Sequence, residues 1–353
     1  MMSRRKCRQI KIGNIKIGGD APILVQSMTN TRTNDTKSTV SQIKRLELVG
    51  CDLVRVAVPN EEAAAALPII KKKIDIPLVA DIHFDYKLAL AALDAGVDKI
   101  RINPGNIGDE KRIKAIIDKA KERNVPIRIG VNAGSLHKKY RGFKGGMSEA
   151  LVNSALEYVD FLENLDFYDY IISVKASSVL TTIEAYELIA DKVSCPLHIG
   201  VTEAGTLLSG SVKSAIGIGM LLKEGIGDTI RVSLTADPIK EVEVGFKILC
   251  ALGLRNVGPD IISCPTCGRC EVDLIALAKE VENRLFGFKN PIKVAVMGCV
   301  VNGPGEAREA DVGIAAGKKE GLLFIKGKPI RKVPEEDLID ALFELISDFE
   351  GVN

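Results

Sequence analysis

The stretch LVRVAVPNEEAAAALPIIKKKIDIPLVADIHF, residues 53–84, decides the fold. It opens on a short β-branched run, LVRVAVP (53–59), and passes through a polar loop into the helical stretch EAAAALPIIKKKI (62–74). It closes on a second run, PLVADIHF (77–84). Strand, helix and strand within about thirty residues is the βαβ unit of a parallel sheet.

The unit repeats to both sides. Runs of the same kind stand at 23–29 (ILVQSMT), 99–105 (KIRINPG), 126–135 (PIRIGVNAGS), 170–177 (YIISVKAS), 196–205 (PLHIGVTEAG) and 229–238 (TIRVSLTADP). Helix candidates such as TKSTVSQIKRLELVG lie between them. Eight strands in βα alternation predict an α/β fold, a (β/α)8 TIM barrel, with an open doubly wound sheet as the alternative. Gly13-Asn14 between two copies of IKI predicts a β-hairpin placed to plug the barrel's N-terminal end. A dinucleotide fold finds no support: GIGMLL, from Gly217, falls inside a helical run, and no G-x-x-x-x-G-K-[ST] sequence occurs.

After GLRNVGPD (253–260) the period changes. A strand (PDIISC), a helix (VDLIALAKEVENRLFG), a strand (IKVAVMGC), hairpin-like strands and a final helix (EEDLIDALFELISDF) predict a smaller α+β domain. The barrel is assigned to residues 1–255 and the second domain to 256–353. A length of 353 residues suits a barrel of about 250 plus such a unit. The net charge of +2, with both signs mixed along the chain and no Trp, argues against a nucleic-acid surface. The basic N-terminus lacks the apolar core of a signal peptide, and no apolar run reaches the roughly 18 residues of a membrane span. Eight cysteines, with Cys7, Cys51, Cys195 and Cys250 scattered, fit a reducing compartment, and a cytoplasmic protein is expected.

Strands of a closed parallel barrel are buried on both faces and should read as apolar. Five carry a cation instead: Arg55, Arg101, Arg128, Lys175 and Arg231. Internal pairing with Asp81 or Glu203 is one solution, but five cations against two strand-end carboxylates leave an excess of positive charge. Asn103, Asn132 and Ser233 follow Arg101, Arg128 and Arg231 at even spacing and share their faces. They lie toward the C-terminal strand ends, where barrel active sites sit. This set predicts a pocket for a compact polyanion, a phosphate or diphosphate. Asp81 and Glu203 are the candidates for proton handling or for a substrate hydroxyl. His83, His137 and His198 fall near this face or its loops and are read as structural residues.

The second domain holds Cys264, Cys267 and Cys270 in SCPTCGRC, then Cys299 in GCVVNGPGEA. Such thiols bind zinc or an iron–sulfur cluster. A zinc ribbon supplies two C-x2-C knuckles, whereas Cys299 stands alone, followed by a Gly-Pro-Gly turn that presents Glu306. Two ligand sets remain: four cysteines including Cys270, or three with an oxygen ligand or open position. A redox or Lewis-acid enzyme favours the second, because a substrate oxygen displaces a carboxylate from iron more easily than a thiolate.

Together VQSMTNT, VRVAVP, ADIHFDY, IRINPGN, IRIGVNAGSL, HIGVTEAG, SCPTCGR and GCVVNGPGEA resemble, in order, the motifs of the bacterial 4-hydroxy-3-methylbut-2-en-1-yl diphosphate synthase family. That family belongs to the methylerythritol phosphate route to isoprenoids, and the resemblance covers residues from about 10 to 310 in its two-domain form. It implies a [4Fe–4S] cluster on Cys264, Cys267, Cys299 and Glu306, with Cys270 outside the ligand set. It further implies that Arg55, Arg101, Asn103, Arg128, Asn132, Lys175, Arg231 and Ser233 hold 2-C-methyl-D-erythritol 2,4-cyclodiphosphate. Asp81 and Glu203 would face its carbon skeleton, with Glu203 as proton donor or electrostatic partner. Flavodoxin or ferredoxin would supply electrons, and a homodimer would set the barrel of one subunit against the cluster domain of the other. A non-redox phosphate-substrate barrel with structural zinc and an iron–sulfur scaffold are the competing readings.

Overall fold

The computed structural model describes residues 4–351 except 137, 141, 271, 286, 289 and 300–306. The chain divides after Arg255 into two compact units. In the first, a hairpin of β1 (Ile10–Ile12) and β2 (Ile15–Ile17) precedes eight parallel strands. These are β3 (Leu24–Met28), β4 (Leu53–Ala57), β5 (Leu78–Ile82), β6 (Lys99–Ile102), β7 (Ile127–Asn132), β8 (Tyr170–Lys175), β9 (His198–Ile199) and β10 (Thr229–Ile230). Strands β3 to β8 neighbour one another in chain order, and β10 pairs with both β9 and β3. A parallel bridge from Ile172 to Leu197 joins β8 to the run entering β9 and completes the ring, which removes the open-sheet alternative.

Crossover helices form where polar caps and apolar stripes coincide. The side chains of Asp35, Asn60, Asp109 and Ser178 each accept from a first-turn backbone N–H, contacts worth about 1 kcal/mol apiece. In the helix Glu110–Arg123, Ile113, Ile116, Ile117 and Ala120 bury one face at helical spacing, and the charged residues take the other. At the opposite pole, Ile10, Ile12 and Ile17 of the hairpin bury against Leu24, Leu53, Val79 and Ile171, close to the N-terminal ends of their strands. This apolar plug leaves the polar part of the lumen toward the C-terminal ends.

Strands β9 and β10 are shorter than their sequence runs. Gly200 takes φ 154°, and a Cβ there would lie 2.3 Å from Arg231 O, so the backbone leaves the pleat where the two segments approach most closely. Arg231 and Ser233 therefore stand just beyond β10, although Arg231 N still donates to Ile199 O at 3.0 Å. Asn103 likewise follows β6, as the cap of the short helix Pro104–Ile107.

The second unit is a five-stranded sheet in chain order: β11 (Asp260–Ser263), β12 (Lys293–Met297), β13 (Val312–Ala316), β14 (Glu320–Ile325) and β15 (Lys328–Pro334). The first three are parallel, and β14 pairs antiparallel with both β13 and β15. Alternation sorts the side chains. Val294, Val296, Val312 and Ile314 pack with residues of the helices Leu274–Arg284 and Leu338–Gly351. Ala295, Met297, Ala315 and Phe324 form a second cluster with Ala307 and Ala310.

Candidate active site

The barrel lumen gathers its charges by strand register. Asp81 on β5 pairs with Arg101 on β6, and Arg101 with Arg128 on β7. Asp81 accepts from Arg101 Nη1 at 3.1 Å, and its other oxygen lies 3.6 Å from Arg55 Nε and from His83 Nε2. Burial alone would raise the Asp81 carboxyl, but Arg55 and Arg101 overcome it and hold it at about 2. Arg101 also donates to Gly130 O at 3.3 Å. A Cβ at Gly130 would meet Arg101 Nε at 2.6 Å, so only glycine lets the guanidinium lie across β7. With its amide oriented to satisfy both ends, Asn132 accepts from Arg101 Nη2 at 3.2 Å.

The remaining cations are less compensated. Arg128 is 2% exposed, and its Nε has no partner among the described residues. Burial first, then Arg55 and Arg101, push the Arg128 cation well below its ordinary range; for Lys175 burial is followed by Arg128 and Arg231, then by Arg55 and Arg101. Arg55 drops to about 9, chiefly by burial, although Asp81 opposes the shift. An arginine does not give up its proton in a protein, so Arg55 and Arg128 stay charged, and their burial favours an anion beside them. Arg231 lies 3.5 Å from Glu241, whose carboxylate also accepts from Leu234 N and Ser27 Oγ, both at 3.0 Å.

Of the sequence-predicted residues, the structure brings together Asp81, Arg55, Arg101, Arg128, Asn132 and Lys175. Asn103 is buried beside them in sequence, and Ser233 is half-buried beyond β10. Glu203 is exposed in the loop after β9, with φ 51°, and it does not join the ion pairs of the lumen. The carboxylate that pairs with Arg231 is thus Glu241, from the helix Pro238–Ala251, and not Glu203. Lys99, fully buried on the face of Arg101, adds a sixth cation; its signal was the even spacing Lys99, Arg101, Asn103. His198 is wholly buried with Nδ1 2.8 Å from Thr229 Oγ1, and burial and then Lys175 keep it neutral. His137 and Glu306 lie outside the described residues.

In the second unit Cys264 and Cys299 directly follow the neighbouring parallel strands β11 and β12, allowing one and two residues beyond their ends. Gly298 N donates to Cys264 Sγ at 3.4 Å. Cys267 is exposed, and Cys270 packs against Gly298 with its thiol donating to Val272 O at 3.3 Å. Thiols at two adjacent strand ends, one already receiving a backbone N–H, fit the soft-donor chemistry of an iron–sulfur site. Among the described residues no three metal-ligating side chains form a closed group.

Fold and site define a class: a closed parallel βα barrel with a cation-rich lumen, joined to a separate thiol-bearing unit. The chain belongs to the GcpE family, matching the GcpE TIM-barrel domain over residues 7–246 and the GcpE protein C-terminal domain over 260–348. It is 62% identical over 344 residues to the 4-hydroxy-3-methylbut-2-en-1-yl diphosphate synthase (flavodoxin) of Caldanaerobacter subterraneus subsp. tengcongensis, covering 97% of each chain. To the protein of the same name in Clostridium tetani it is 59% identical, over 98% of this chain and 100% of that one. Among solved structures, 3-dehydroquinate dehydratase of Geobacillus kaustophilus superposes with a TM-score of 0.50 at 17% identity, covering 70% of this chain and 99% of that one. That likeness shows the barrel fold alone.

Proposed function

We propose that the chain is a 4-hydroxy-3-methylbut-2-en-1-yl diphosphate synthase that reduces 2-C-methyl-D-erythritol 2,4-cyclodiphosphate with electrons from flavodoxin. The observation that carries this reading is 62% identity across 97% of the chain to a relative of that name. The lumen supports it, because buried cations outnumber the carboxylates that pair with them.

Opening the cyclic diphosphate and expelling a hydroxyl as water consumes two electrons and two protons. Arg55, Arg101, Arg128, Lys175 and Arg231 bind the diphosphate, and Asn103, Asn132 and Ser233 orient it with the sugar hydroxyls. Asp81, held ionised at about 2, accepts a hydrogen bond from a hydroxyl and is a poor proton donor near neutrality. The proton donor is then Glu203; its left-handed backbone, a sparsely populated conformation for glutamate, supports a functional role. Cys264, Cys267, Cys299 and Glu306 would hold a [4Fe–4S] cluster, which would supply single electrons and Lewis acidity. Ferredoxin is the alternative donor. The family resemblance supports a homodimer. Eight free thiols accord with a cytoplasmic setting, and no helix among the described residues is long and apolar enough to cross a membrane.

The test is anaerobic purification followed by turnover of the cyclodiphosphate with reduced flavodoxin. Iron and sulfide with product formation are expected. A colourless protein holding zinc and forming no product would contradict the proposal.

A further inference from the structure

Three buried side chains on the floor of the lumen, Gln26, Lys99 and His198, are not among the residues named for the substrate, and the charge of Arg128 reaches Lys99 and His198. Lys99, on β6, is fully buried and reaches across to β3, where it donates to Gln26 Oε1 at 3.2 Å. Gln26 Nε2, Arg128 Nε and His198 Nε2 are buried without a hydrogen-bond partner among the described residues. His198 is fixed from its other side by Thr229. The charges acting on Lys99 are Arg128 and Arg55, and those acting on His198 are Lys175, Arg128, Lys99 and Arg55, all cations. Asp81 is already shared between Arg55 and Arg101.

Buried donors without acceptors bear their full desolvation penalty, and an ammonium has three N–H groups to satisfy. A ligand that accepts from several of them at once relieves that penalty, and the net positive charge selects an anion over water. Lys99 precedes Arg101 by two residues on one strand face, about 7 Å lower along the strand. That spacing lets a single diphosphate engage both levels.

We propose that Gln26, Lys99 and His198 join Arg128 in a phosphoryl-binding floor, the deepest subsite of the anion pocket; this rests on the reading of the lumen as a diphosphate site. Lys99 is its principal charge; Gln26 Nε2, and His198 Nε2 in the tautomer whose Nδ1 accepts from Thr229 Oγ1, present neutral donors to the remaining phosphoryl oxygens.

Inorganic diphosphate titrated calorimetrically onto the full chain and onto Lys99→Met tests the floor, with the unfolding temperature of each free protein recorded. Deleting an uncompensated buried charge stabilises the free protein, whereas deleting a ligand group weakens binding. The variant is expected to melt higher without ligand and to bind diphosphate about tenfold to a hundredfold more weakly. Unchanged affinity overturns the floor and leaves the lumen a diphosphate site; a wild type that binds no diphosphate overturns the lumen reading and the floor with it. Bromide-soaked crystals of the wild type give a readout independent of the variant's folding. An anomalous peak within hydrogen-bonding reach of Lys99 Nζ and His198 Nε2 is expected, and an ordered water there instead overturns the proposal.

Discussion

Asp81 is the residue on which the lumen's electrostatics turn. It is 2% exposed and faces Arg55, Arg101 and His83. Asp81→Asn leaves two buried guanidinium groups without their counter-charge, and a loss of about 3 kcal/mol or more is expected in urea unfolding of the free protein. A bound diphosphate replaces the missing charge, so the loss should shrink when the ligand is present. The folded pKa of about 2 lies below the ordinary value of about 3.9. The carboxylate's contribution is therefore complete above the unfolded value and is lost as pH falls through about 2. The gap between wild type and variant should stay constant from about pH 5 upward and close toward pH 2; a gap that widens in acid would contradict this assignment. At this scale the strand cations were legible in sequence, because a charge inside an apolar run breaks the barrel's burial pattern. Glu241 was not, since a glutamate within EVEVGF on a helix is indistinguishable from a solvated one until the fold turns it toward Arg231. Lys99 escaped notice because a lysine opening a strand ordinarily lies at its exposed end.

Among the elements, β7 shows how a strand serves its neighbour. Gly130 makes room for the Arg101 guanidinium, which is pinned to both Asp81 and Gly130 O. Gly130→Ala is expected to fold, to break the Arg101–Asp81 contact and to weaken diphosphate binding about tenfold; undiminished affinity would show that Arg101 can bind from another position. In the second unit, the parallel ends of β11 and β12 set Cys264 beside Gly298, which precedes Cys299, while Cys270 packs inward. Cys270→Ser should keep iron and sulfide through anaerobic purification, and Cys299→Ser should lose both. The reverse pattern would give the ligand position of Cys299 to Cys270. The eight strands were readable as β-branched runs, yet the last two end early. Strand length depends on where neighbouring backbones diverge at Gly200, a tertiary event that local propensity does not encode.

For the molecule as a whole, the boundary after Arg255 separates a unit arranged around charge from one arranged around thiols. The change from βα alternation to hairpins made that division visible in sequence, and the two matched family domains fall on either side of it. On the proposed function, the barrel's uncompensated cations hold a cyclic diphosphate. The most direct test is calorimetric titration of the cyclodiphosphate, without reductant, onto the full chain and onto Arg128→Met. The wild type should bind with proton uptake at alkaline pH, because an anion raises the depressed Lys175 ammonium back toward its ordinary range. Arg128→Met should bind at least about tenfold more weakly. Equal affinity in the two proteins, with no proton uptake in either, would contradict the account.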